Sequence, residues 1–118
     1  MKQRIKGLHL EPLWWGLFSA GGVCFAVLVP SVVLVFGLLW PLGVVDVSFT
    51  TLQSWYQSLW GLVFTAVVIS LPAFHAAHRI RHGLHDMKIG YGGSTTAFVC
   101  YGSAMVVTAL GVIAWWSA

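Results

Sequence analysis

The chain has 118 residues, 58% of them hydrophobic and only 8% charged, with a formal net charge of +3. A soluble domain carries about a quarter charged residues, so this composition excludes a water-soluble globular protein and predicts an all-α integral membrane protein. The six Lys and Arg lie in two clusters beside apolar runs, which reads as a topology signal and excludes nucleic acid as a partner.

Residues 1 to 12 carry Lys2, Arg4 and Lys6, then His9, Glu11 and Pro12. Such a start resembles the basic head of a signal peptide. The apolar run behind it is longer than the about 7 to 15 residues of a cleaved core and has no early small-x-small exit, so it is expected to remain as a membrane anchor. Pro12 suits the first turn of a helix, where its missing N–H would be unpaired anyway. From Leu13 to about Trp40 no residue is charged, and the run exceeds the about 20 residues that a helix needs to cross the hydrocarbon. Pro30 is expected to bend this span. Gly16, Ala20, Gly21 and Gly22 form a small-residue stripe along which another helix can approach the backbone.

Pro41, Gly43 and Asp46 end the first span, and the segment to Ser54 holds no Lys or Arg. A second helix is predicted from about 55 to 85, with Trp55, Tyr56 and Trp60 as an interfacial aromatic belt and Pro72 near its far end. Lys88 closes that region, and residues 90 to 94, GYGGS, read as a turn. The third helix is expected at about 96 to 116, closed by Trp115 and Trp116, with Gly102, Ala104, Thr108, Gly111 and Ala114 open to helix contacts. Together these make one membrane-anchor domain over 1–118. All Lys and Arg lie before the first span or between the second and third, so the positive-inside rule places the N-terminus in the cytoplasm and the C-terminus in the periplasm. Cys24 and Cys100 sit within apolar runs and are read as small hydrophobes, with neither a disulfide nor a metal site inferred.

Chemistry concentrates between Pro72 and Ile89, where His75, His78, His82 and His85 advance by three, four and three positions and share one face of a helix. Three readings stand side by side. The imidazoles ligate a metal or haem, although no carboxylate shares their arc to orient them. They form a solvated or partner-docking surface. Or they line the site of a redox ligand such as a quinone, whose oxygens need hydrogen-bond donors and a proton source. Arg79 and Arg81 face different ways, and Arg79, beside His78 at the apolar boundary, is the one expected to act in a site. Asp86 has His82 and Arg79 as candidate partners. Trp14 and Trp15 lie at the same end by topology, either as an aromatic belt or as indole donors into a site walled by Gly16 and Ala20.

The segments EPLWWGLFSAGG (11–22), WPLG (40–43) and LPAFHAAHRIRHGLHDMKI (71–89) resemble the D subunit of bacterial four-subunit fumarate reductases, the smaller of two membrane anchors. The resemblance covers nearly the whole length. It implies a non-catalytic, multi-pass anchor in the bacterial inner membrane, partnered by a C subunit, an iron–sulfur subunit and a flavoprotein carrying FAD. Menaquinone would bind at the subunit interface on the cytoplasmic side. On this resemblance Trp15, His78 and Arg79 are quinone-binding, with Phe18 in the pocket wall and Trp14, His82, His85 and Asp86 as polar support; no catalytic residue or metal ligand is expected. Such anchors resemble the haem-free class. His75 and Arg81 depart from the family pattern, so their roles stay open. The alternatives are a purely structural anchor and a haem-binding, cytochrome b-type anchor of a succinate dehydrogenase-like complex.

Overall fold

The computed structural model describes residues 10–89 and 93–118, apart from the side chain of Glu11. The basic cluster of Lys2, Arg4 and Lys6, with His9, lies outside the described residues, as do residues 90–92 of the expected turn. Helix α1 runs Glu11–Leu34 with Pro12 in its first turn, and passes directly into a π-helical turn, Val35–Leu39. Pro30 lies inside α1 without ending it, and next to it the Ser31 hydroxyl donates to the Val27 carbonyl at 2.7 Å.

The expected second span is one helix that begins at Leu59, and Trp55 and Tyr56 belong to a short helix before it. Ser48 accepts the Thr51 N–H at 3.2 Å and opens α2, Phe49–Tyr56. Ser58 is extended (φ −80°, ψ 167°), accepts the Gly61 N–H at 3.3 Å, and opens α3, Leu59–Asp86. Each serine satisfies an N–H that its helix cannot, so the polar stretch from Ser48 to Ser58 resolves into two starts. Trp55 and Tyr56 therefore end α2, and Trp55 packs edge-on against Phe64 of α3, ring centres 5.4 Å apart. At the far end of α3, Lys88 adopts φ 55° and the Ile89 N–H reaches back to the Leu84 carbonyl at 2.9 Å, a closing turn usually made with glycine. Helix α4 is Gly93–Trp116 and so includes Gly93 and Ser94, expected in the turn.

Three helices are long and apolar enough to cross a membrane: Pro12–Leu39, Leu59–Asp86 and Gly93–Trp116. They alternate in direction, with α3 packed between α1 and α4. The far end is tied by the Trp115 indole N–H donating to the Tyr56 carbonyl at 2.5 Å. Little of the surface is buried: Gly21, Cys24, Gly61, Thr65, Ala77, His78, Tyr101 and Ala104 are enclosed among the described residues. Large apolar side chains such as Val23, Val33, Phe98 and Met105 point outward. An exposed apolar surface of this extent is stable against lipid or partner helices, not water.

The helices meet closely at two glycines. A Cβ on Gly21 would collide with the Leu71 carbonyl and the Cβ of His75, so α1 and α3 touch backbone to backbone there. A Cβ on Gly111 would meet the Ile69 side chain. Gly16 and Gly102, in the same predicted stripes, face open space. A helix of 28 residues extends for about 42 Å against a hydrocarbon thickness of about 30 Å. The last turns of α3 therefore leave the hydrocarbon, and His78, about 30 Å from Leu59 along the axis, falls near its edge.

Candidate functional site

The crossing at Gly21 determines what the histidines can reach. Because α1 approaches α3 without side chains between them, His75 meets the α1 backbone and its Nδ1 donates to the Phe18 carbonyl at 2.7 Å. A carbonyl only accepts, so the hydrogen of His75 is on Nδ1. The Phe18 ring stacks on the His75 imidazole, centres 4.4 Å apart and nearly parallel at 6°. His75, which the family pattern left without a role, thus clamps α1 to α3.

One turn on, His78 is 4% exposed and lies between both flanking helices. From α1, Trp15 meets it edge-on at 5.0 Å and Phe18 at 5.0 Å; along α3, His82 lies 4.3 Å away, centre to centre. From α4, the Tyr101 hydroxyl is 2.9 Å from His78 Nδ1. The other ring nitrogen, Nε2, is buried and has no hydrogen-bond partner among the described residues. Buried polar nitrogens are rarely left so, and each asks for a ligand or an ordered water.

Arg81 turns inward, donating from Nη1 to the Tyr101 hydroxyl at 3.3 Å with its guanidinium carbon 5.6 Å from the ring centre. Arg79, rotated about 100° around the helix from His78, is exposed and makes no hydrogen bond or ion pair among the described residues. Within this chain it is thus Arg81 that turns inward and Arg79 that turns outward. Trp14 and Trp15 also separate. Trp14 stacks on Tyr101, centres 4.2 Å apart at 14°, and bridges α1 to α4, whereas Trp15 faces His78 and is half exposed. His85 and Asp86 are neighbours at 3.8 Å with their side chains 83% and 81% exposed, away from the cluster; a pair so exposed contributes little.

Of the residues singled out by sequence, Trp15, Phe18, His78 and His82 come together, and Trp14 braces them from behind. Tyr101 was not among them. A Tyr inside an apolar span carries a hydroxyl that must find a partner, and that requirement was the available sign. Beside the cluster a cleft of about 710 Å³ opens between the end of α3 and the start of α4, lined by Arg81, His82, His85, Asp86, Lys88 and Thr96 among others. That volume is in the range of small-molecule sites. Among the described residues no group of three or more His, Cys, Asp or Glu is gathered as metal ligands. The rings of Trp15 and Phe18 pack beside His78, whose Nε2 is the buried polar atom of the cluster that lacks a hydrogen-bond partner among the described residues.

Three apolar crossing helices with a polar aromatic cluster at one end define a multi-pass membrane protein. Comparison with known proteins gives the family. The family model for the D subunit of fumarate reductase matches residues 6–115. Relatives named as fumarate reductase D subunits include those of Photobacterium profundum, 42% identical over 87% of this chain and 88% of theirs, and Vibrio parahaemolyticus, 45% identical over 87% and 84%. That of a Shewanella species is 44% identical over 87% of both chains. The chain belongs to the family of fumarate reductase D subunits, and serves as a membrane anchor of a fumarate reductase complex rather than its catalytic unit.

Proposed function

We propose that this chain, as a single anchor domain, works beside a second anchor, the C subunit, in the bacterial inner membrane, and helps form a menaquinol site on the cytoplasmic side. The partners in this reading are an iron–sulfur subunit and a flavoprotein with FAD, to which the anchors give a membrane footing for anaerobic fumarate respiration. The N-terminus is cytoplasmic and the C-terminus periplasmic, in keeping with the distribution of Lys and Arg. No haem is assigned to the histidine face.

The observation that carries the reading is the buried, unpartnered Nε2 of His78 beside the rings of Trp15 and Phe18. Menaquinol is a flat two-ring substrate that gives up two electrons and two protons, and its hydroxyl oxygens need polar contacts that an apolar span otherwise lacks. Trp15 and Phe18 offer faces and edges to its rings, and His78 offers one nitrogen. His82, exposed beside them, is an imidazole able to exchange protons with water. Arg79 projects from the same turn as His78 into the space that a partner subunit would fill.

The test compares two activities of the assembled complex. Substituting His78→Ala or Arg79→Ala is expected to cut menaquinol-linked fumarate reduction while fumarate reduction with a soluble dye persists, because the dye bypasses the anchors. Retention of both activities in stable complex refutes the site assignment, and loss of assembly alone supports a purely structural anchor.

A further inference from the structure

The hydrogen bonds behind His78 determine what its free nitrogen can do. A guanidinium has five N–H groups and no acceptor, so in the contact between Arg81 and Tyr101 the phenolic oxygen accepts. The hydroxyl hydrogen then needs an acceptor of its own, and His78 Nδ1 at 2.9 Å is the one supplied among the described residues. A neutral imidazole that accepts at Nδ1 carries its hydrogen on Nε2. His78 Nε2, buried and without a protein partner among the described residues, is therefore a donor, on a ring whose centre lies 5.0 Å from those of Trp15 and Phe18. The opposite assignment, with Nδ1 donating to the hydroxyl, leaves a buried phenolic hydrogen unpaired. Arg81 cannot take up a proton either, because its guanidinium stays charged.

We infer that Tyr101, oriented by Arg81 and braced by the Trp14 stack, is a positioning residue that holds His78 as a hydrogen-bond donor to an oxygen of the quinol ring. The inference rests on His78 belonging to the quinol site. It gives Tyr101 and Arg81 a role through His78 and makes the chain from His78 to Arg81 a dead end for protons, so His78 anchors the ring and does not drain it.

The experiment measures menaquinol oxidation by the assembled, membrane-bound complex with a short-chain menaquinol, each rate normalised to dye-linked fumarate reduction. Tyr101→Phe keeps the ring and its stack and removes the hydroxyl; the KM for menaquinol is expected to rise about three- to ten-fold, with kcat changed less, as for one hydrogen bond misplaced. His78→Gln, whose amide still donates, is expected to retain at least about three times the kcat/KM of His78→Ala. Adding Tyr101→Phe to His78→Gln is expected to have no further effect, since Tyr101 acts through the imidazole. If Tyr101→Phe fails to assemble, Arg81→Leu, which frees the hydroxyl to turn, carries the same expectation for KM. An unchanged KM in these variants alongside an impaired His78→Ala overturns the positioning role and leaves the site standing. An equal loss in the His78→Gln background, or His78→Gln as poor as His78→Ala, also overturns it. Full menaquinol oxidation by His78→Ala refutes the site itself.

Discussion

Gly21→Ala tests the contact on which the cluster depends. The added methyl would overlap the Leu71 carbonyl and the Cβ of His75, whereas ordinary contact begins at 3.4 Å. These obstacles are backbone and a first side-chain carbon, neither of which can swing aside, so α1 and α3 must part locally by about 1 Å. Overpacking of this kind costs about 1–3 kcal/mol. Parting also stretches the bond from His75 to the Phe18 carbonyl and the stack of the two rings, adding about 1 kcal/mol. The better helix propensity of alanine returns about 0.5–1 kcal/mol, leaving a net loss of about 1–3.5 kcal/mol by these principles. The assay is heating of detergent-solubilised complex followed by size-exclusion chromatography, with the temperature of half-dissociation of this chain as readout. Gly21→Ala is expected to lower it by about 2–14 °C, at about 2–4 °C per kcal/mol, and to raise the menaquinol KM, because Trp15 and Phe18 move away from His78. Gly83→Ala and Gly102→Ala, where nothing lies within 4 Å, serve as controls with no loss. If Gly21→Ala matches these controls, the close crossing does not govern stability or the site.

Trp14→Ala removes the ring stacked on Tyr101 and its contact with Phe74; the same heating assay is expected to show a loss of about 3–4 kcal/mol, largely restored by Trp14→Phe. For orientation, Ser117→Cys in a Cys100→Ser background is expected to react with a membrane-impermeant maleimide in intact spheroplasts, Cys24 being buried. Labelling only after permeabilisation reverses the assigned topology.

The three spans were legible because an uncharged run longer than a bilayer leaves the backbone no other stable form. The helix start at Ser58 was not, since a serine followed by apolar residues is as ordinary within a helix as before one until its φ and ψ are known. In the small-residue stripes, Gly16 and Gly21 look alike as letters, and only the path of α3 makes one a contact and leaves the other open. Tyr101 lies 23 positions from His78, and nothing local to either residue reports that they meet.

The same limit explains the histidine face. Spacing of three, four and three puts four imidazoles on one side of α3, but it assigns them one environment where there are four. His75 is taken by the Phe18 carbonyl, His78 by the Tyr101 hydroxyl, His82 stands at the edge beside Trp15, and His85 lies out by Asp86. Each difference comes from what α1 or α4 presents at that height. The arginines follow the same rule. Arg81 has Tyr101 in front of it and turns inward, while Arg79, without an acceptor on its own chain among the described residues, keeps its charge at the surface. A guanidinium at the edge of the hydrocarbon is stable there only against water, a headgroup or a partner's polar atoms. Adjacent positions on α3 therefore face different ways, Arg79 outward to polar surroundings and His78 inward between α1 and α4.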